Sequence, residues 1–157
     1  MIRLVAMDVD GTLTDGGFYL DGNGGEFKRF NVKDGLGIVS LKKSSVEVAF
    51  ISGRFSKATA QRASELGVSR VINGIVDKLA ALTAIADELG LDRSEVAFIG
   101  DDTQDVPCLK WAGLGIAVAD ASEDALSAAD WISPRRGGEG ALRDAAEYIF
   151  KVNRAAE

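Results

Sequence analysis

Met7-Asp8-Val9-Asp10-Gly11-Thr12-Leu13-Thr14 follows the apolar run Ile2-Arg3-Leu4-Val5-Ala6 and passes into glycine and threonine. The pattern is that of a buried strand whose carboxyl end opens into a loop. Residues two apart on a strand share a face, so the carboxylates of Asp8 and Asp10 can converge on one small volume. Two like charges that close need a cation or a proton between them. Mg²⁺ suits hard oxygen ligands on an open loop, because it keeps several waters and leaves room for a phosphate. Taken alone, Asp-Val-Asp-Gly reads equally well as a polar turn, and the rest of the chain has to decide.

Outward from this strand, short apolar runs alternate with helical periodicity. The spacing predicts strands over residues 2–7, 46–51, 71–72, 96–99, 114–118 and, more weakly, 131–132. The stronger ones end at polar or glycine-bearing points: Asp8, Ser52-Gly53 and Gly100-Asp101. Helices are expected over 36–43, 57–66, 78–89, 106–112 and 141–152, with Gly67 and Gly90 where a helix-terminating glycine belongs. Strand and helix in alternation predict an α/β fold, a Rossmann-like three-layer sandwich around a central parallel sheet. The 157 residues are most simply one domain, 1–157. One segment breaks the rhythm. Phe18-Tyr19-Leu20 and Glu26-Phe27-Lys28-Arg29-Phe30 flank Asp21-Gly22-Asn23-Gly24-Gly25, the signature of a β-hairpin over about residues 18–30. Isolated hairpins are barely stable in water, so its aromatic side chains are expected to be covered either by the rest of the domain or by other subunits, and the latter is favoured.

Composition narrows the function. Apolar residues make up 46% and charged ones 27%, ordinary for a globular domain. A net charge of -6 argues against nucleic-acid binding through a broad basic face, while local cations or a bound metal still permit a small anionic substrate. The single cysteine, Cys108, cannot form an intrachain disulfide and reads as a packing residue in a reducing compartment. Histidine is absent, which removes Ser-His-Asp and Cys-His catalysis and leaves acid–base chemistry to carboxylates. The N-terminus enters a strand directly and no apolar run is long enough to span a bilayer. A cytoplasmic location without membrane contact is therefore expected.

Catalytic groups in open parallel sheets gather at the carboxyl ends of the strands. Collected there are Asp8 and Asp10, then Ser52-Gly53-Arg54, then Lys78 opening a helix, then Gly100-Asp101-Asp102 with Asp105 three residues on. Such a set suits phosphoryl transfer: carboxylates hold Mg²⁺, and the metal, a lysine and a hydroxyl neutralise phosphate oxygens. Each member has a plainer reading, with Ser52 as a turn cap, Lys78 as a solvated helix residue and Asp101-Asp102 as an N-cap pair. Their occurrence in order, each after its own strand or helix signal, favours the joint chemical reading. Arg135-Arg136-Gly137-Gly138-Glu139-Gly140 reads either as a flexible connector or as a mobile lid whose arginines reach an anionic substrate.

The ordered set Asp8-Val9-Asp10-Gly11-Thr12, Ser52-Gly53-Arg54, Lys78 and Gly100-Asp101-Asp102 with Asp105 resembles the four motifs of the haloacid dehalogenase-like phosphatases. The resemblance implies that Asp8 is a nucleophile forming an aspartyl-phosphate. It makes Asp10 the acid for the leaving alcohol and then the base for water. It gives Ser52 and Lys78 the phosphoryl group, and places Mg²⁺ on Asp8, the Asp10 carbonyl and Asp101, with Asp102 and Asp105 in support. Thr12, Gly53, Arg54, Arg135 and Arg136 would contact substrate. The gaps between motifs hold only the hairpin where most relatives carry a cap domain. With Phe30-Asn31-Val32-Lys33-Asp34-Gly35 and Gly137-Gly138-Glu139-Gly140-Ala141, this is similar to the capless, tetrameric branch acting on sugar-acid phosphates. Asp144 and Leu142 stand where that branch is expected to carry Glu and Val. The resemblance implies a homotetramer built on the hairpin and 3-deoxy-D-manno-octulosonate 8-phosphate as substrate. Nine-carbon keto-sugar acid 9-phosphates and other small phosphorylated metabolites are the alternatives, and a phospho-acceptor or scaffold module is the non-enzymatic one.

Overall fold

A computed structural model describes residues 1–156. Six parallel strands form the central sheet: β1 (Leu4–Met7), β4 (Glu47–Ser52), β5 (Arg70–Asn73), β6 (Val96–Gly100), β7 (Leu114–Ala117) and β8 (Trp131–Ile132), in the order β5-β4-β1-β6-β7-β8. The hairpin strands β2 (Tyr19–Leu20) and β3 (Glu26–Phe27) pair antiparallel in a sheet of their own. Helices α1 (Val32–Lys43), α2 (Lys57–Glu65), α3 (Lys78–Glu88), α4 (Val106–Trp111), α5 (Glu123–Ala128) and α6 (Ala141–Ala155) fill the connections.

The sheet is apolar on both faces, and strand alternation sorts its side chains into two cores. Val5, Met7, Val48, Phe50 and Ile99 face α1, α2 and α6, where they meet Ile38, Leu41, Ala63, Leu142 and Ile149. Leu4, Ala6, Ile51, Val96 and Phe98 face the opposite layer and meet Leu82, Ile85, Leu109 and Ala125 from α3, α4 and α5. The three-layer sandwich is thus present, with the hairpin as its one excursion.

Two differences from the sequence reading have local causes. Helix α1 begins at Val32, not at residue 36, because Asn31 accepts the Lys33 amide and caps it. Glycines 35 and 37 disguise this turn, since glycine disfavours helices by about 1 kcal/mol. They are there for packing: a Cβ on Gly37 would stand 3.0 Å from Arg143 Cα. Helix α5 escapes the periodicity altogether, being six residues long with Ala125 its one buried residue.

The strand order places the site. From β1 the chain moves outward through β4 to β5, then α3 returns it to β6 on the other side of β1. The direction of winding reverses between β1 and β6, and the crevice beyond their carboxyl ends is where such sheets bind ligands. Asp8 and Asp101 stand immediately after those two strands.

Candidate active site

That crevice is a cleft of about 290 Å³ lined by Asp8, Asp10, Phe18, Gly53, Arg54, Lys78, Asp101, Asp102, Gln104 and Asp105. A groove of about 810 Å³ runs between the hairpin and the start of α2, along residues 20–26 and 54–58. It gathers none of the sheet-end carboxylates, so the chemistry belongs to the smaller space.

Lys78 is buried at the first turn of α3, and its Nζ donates to Asp8 Oδ1 at 2.6 Å and Asp105 Oδ1 at 2.8 Å. Burial alone would lower the lysine pKa, but the two carboxylates outweigh it and hold the ammonium charged. The other Asp105 oxygen accepts the backbone N–H groups of Asp101 (2.9 Å) and Asp102 (3.2 Å), so this carboxylate folds the turn after β6 around itself. Glycine at 100 permits that turn, since a Cβ there would stand 2.6 Å from Asp105 Cβ.

On the other side of Asp8, the Thr12 hydroxyl lies 3.2 Å from Asp101 Oδ1 and 3.5 Å from Asp8 Oδ2. Burial, then the charge of Asp105, raises the Asp8 carboxyl above its ordinary range against the pull of Lys78. Burial, together with the Asp8 carboxylate, pushes Asp101 up to about 9. Two carboxyls in this state share a proton or a cation. Oxygens of Asp8, Asp101 and Asp105 all lie within 4.8 Å of one another. Both Asp105 oxygens are already engaged, which leaves Asp8 and Asp101 as the side chains open to a hard divalent ion. Gly11 makes room for them: its φ is +89°, and a Cβ would fall 2.0 Å from Asp101 Oδ2. The site fits Mg²⁺.

The remaining sequence candidates fall at graded distances from this centre. Asp10 lines the cleft, with Oδ1 2.7 Å from Lys28 Nζ. Gly53 and Arg54 also line it, and Arg54 is held by Glu26 Oε2 at 2.7 Å while its guanidinium lies 3.8 Å from the centroid of the Phe18 ring. Ser52 is buried beneath them and donates its hydroxyl to the Arg54 carbonyl at 2.9 Å. Asp102 is exposed and caps Thr103 N at 2.7 Å.

Arg135 and Arg136 do not line the cleft; Arg135 Nε sits 3.5 Å from Asp144 Oδ2. Their glycine segment is packed, not loose. Gly137 and Gly138 are buried, Gly138 N donates to Thr12 O at 3.1 Å, and a Cβ on Gly137 would fall 1.8 Å from Gly11 O. Neither the connector nor the lid describes it: the segment is a bracket behind the Asp8–Thr14 loop. Sequence reasoning missed Phe18, Glu26, Lys28 and Gln104. The first three project from the hairpin, whose register against the cleft no local pattern encodes.

Residues 48–142 match the family model of haloacid dehalogenase-like hydrolases. The chain belongs to that family. Within it, the chain is 40% identical over 149 residues to the 3-deoxy-D-manno-octulosonate 8-phosphate phosphatase of Escherichia coli K12, covering 95% of this chain and 79% of the other. The corresponding Moraxella catarrhalis phosphatase, solved with magnesium, phosphate and 3-deoxy-D-manno-octulosonate (KDO), superposes with a TM-score of 0.93 at 44% identity, over 96% of this chain and 86% of that one. The cobalt-bound Haemophilus influenzae enzyme gives 0.92 at 37% identity, over 96% and 88%. Against this haloacid dehalogenase-like background, no helix of the described residues is long and apolar enough to cross a membrane.

Proposed function

We propose that the chain is a Mg²⁺-dependent phosphomonoesterase that hydrolyses 3-deoxy-D-manno-octulosonate 8-phosphate through a phosphorylated Asp8. The observation that carries this reading is the buried Asp8–Lys78–Asp105 cluster beside Asp101 at the switch point of the sheet. It occurs in a chain 44% identical to a relative solved with magnesium, phosphate and KDO.

Lys78 holds Asp8 through Oδ1, and Asp8, which lines the cleft, would supply the attacking oxygen. That oxygen forms a bond to phosphorus as the bond to the sugar oxygen breaks, and Asp10 gives the leaving oxygen its proton. Asp10 then removes a proton from water, which attacks the acyl phosphate and restores Asp8. Splitting the displacement in this way gives each step a better nucleophile or leaving group. Mg²⁺, held by Asp8, Asp101 and the Asp10 carbonyl with Asp102 and Asp105 behind them, would neutralise charge on the transferring group. Ser52 and Lys78 would take its remaining oxygens. Gly53 lines the cleft, Thr12 is buried against Asp8 and Asp101, and the planar fork of Arg54 suits the carboxylate of a sugar acid.

The exposed Tyr19, Leu20 and Phe27 of the hairpin support a homotetramer assembled through it, with Arg135 and Arg136 turned toward a neighbour's substrate. A single domain of residues 1–157 working in the cytoplasm completes the reading. The test is phosphate release from eight- and nine-carbon keto-sugar acid phosphates, hexose phosphates and nucleotides, with Mg²⁺ and with chelator. Metal-dependent turnover concentrated on the eight-carbon ester is expected; equal turnover across the panel would remove the substrate assignment.

A further inference from the structure

The hairpin does more at the cleft than present an outer surface. Lys28, just past β3, has a side chain with 0% exposure, and its ammonium sits 2.7 Å from Asp10 Oδ1 and 3.8 Å from Glu26 Oε1. Its ammonium donates a hydrogen bond to Thr59 Oγ1 of α2 at 3.3 Å, whereas its approaches to Asp10 Oδ1 and Glu26 Oε1 are ion pairs that leave both buried oxygens without a hydrogen-bond donor. A buried ammonium is costly unless paired, so these neighbours fix where it lies. Glu26 in turn takes Arg54 through its other oxygen at 2.7 Å, and Arg54 packs on Phe18. Five side chains, Asp10, Lys28, Glu26, Arg54 and Phe18, thus connect the loop after β1, the hairpin and the loop after β4. Lys28 is absent from the cleft lining while Asp10 and Arg54 are part of it, so it approaches Asp10 from outside the reaction space.

We propose that Lys28 is a positioning residue for the proton-transferring carboxylate of Asp10. It pins Oδ1 against the hairpin and leaves Oδ2 directed at the leaving oxygen of the substrate. The hairpin thereby acts on the cleft of its own chain, whatever it does between chains. This rests on the role given to Asp10 above.

A structural role and a positioning role separate by leaving group. A sugar alkoxide needs a proton as it departs; p-nitrophenolate does not. Correctly placed acid catalysis contributes about 10²–10⁴-fold, so Lys28→Met is expected to lower kcat on the sugar 8-phosphate by about 10-fold or more beyond its effect on p-nitrophenyl phosphate. KM should change little, and Lys28→Arg should recover most of the loss. Equal losses on both esters, or none, would overturn the proposal. Should Lys28→Met fail to fold, Thr59→Val removes only the hydroxyl that receives Lys28 and is read with the same two esters: a loss biased to the sugar ester supports the proposal, and an unbiased or absent one overturns it. If Asp8→Asn hydrolysed both esters as wild type does, the phosphatase reading itself would fall, an outcome distinct from either.

Discussion

Lys78 Nζ lies 2.6 Å from Asp8 Oδ1, a contact between residues 70 positions apart that joins the end of β1 to the start of α3. With Asp105 on its other side, the lysine is the element that makes two buried carboxylates tolerable and, on the proposed function, the cation that would face the phosphate. Removing it should therefore damage stability as well as turnover. Truncating one partner of a buried ion pair costs about 3–5 kcal/mol, and Lys78→Met should show a loss of that order in urea unfolding, together with loss of phosphate release. Loss of activity at unchanged stability would mean that Asp8 and Asp105 are not held by this contact in solution.

Asp8 and Asp101 supply a pH dependence with a definite sign. Both carboxyls are raised in the folded chain, Asp101 from 3.8 to about 9. The metal-free fold thus binds more protons than the unfolded chain between those limits, and it loses stability as pH rises through that window. On the proposed function Mg²⁺ would replace the shared proton and relieve the loss. Melting curves in chelator should fall from about pH 5 to about pH 9, and the increment given by Mg²⁺ should grow over the same range. An increment that shrinks with pH would contradict the Asp8–Asp101 site.

Gly11→Ala tests the cradle. The substitution puts a Cβ on a backbone with φ +89° and drives it to within 2.0 Å of Asp101 Oδ2. A strained φ of this kind costs about 1–3 kcal/mol. More tellingly, isothermal titration should show Mg²⁺ binding abolished or weakened well beyond that of wild type. Unaltered metal affinity would place the ion elsewhere.

Much of this was legible because the strand ends are chemically marked. Asp8, Ser52-Gly53 and Gly100-Asp101 announced the carboxyl ends of β1, β4 and β6, and helix-ending glycines at 67 and 90 do adopt positive φ. What stayed hidden is long-range. The hairpin was visible as a hairpin, yet its strands are only two residues each, and nothing local says that Lys28 turns inward onto Asp10 while Tyr19 and Phe27 stay exposed. Likewise Gly137 and Gly138 look flexible in isolation, and only the packed Asp8–Thr14 loop shows why a side chain is refused there.

Gly137→Ala should accordingly impair catalysis from outside the cleft. Its Cβ would meet Gly11 O at 1.8 Å, so the Asp8–Thr14 loop must shift, and a misplacement of about 1 Å can cost on the order of 10²-fold. The expected outcome is reduced kcat with a folded circular-dichroism spectrum; wild-type kcat would show that the loop yields without moving Asp8.

The hairpin surface gives a prediction about assembly. Tyr19, Leu20 and Phe27 are each about two-thirds exposed or more, a cluster that other copies of the chain would cover. Light scattering should return four times the 16.6 kDa chain mass, and Phe27→Glu should lower it. A 16.6 kDa particle at micromolar concentration would exclude the tetramer.

The most direct measurement is chemical trapping of the acyl phosphate: rapid quench of the Mg²⁺-loaded enzyme during turnover, borohydride reduction and peptide mass spectrometry. The phosphatase account predicts reduction of Asp8 to homoserine, dependent on substrate and absent at Asp10, Asp101 and Asp105. Steady turnover with Asp8 unmodified, or modification at another carboxylate, would contradict it.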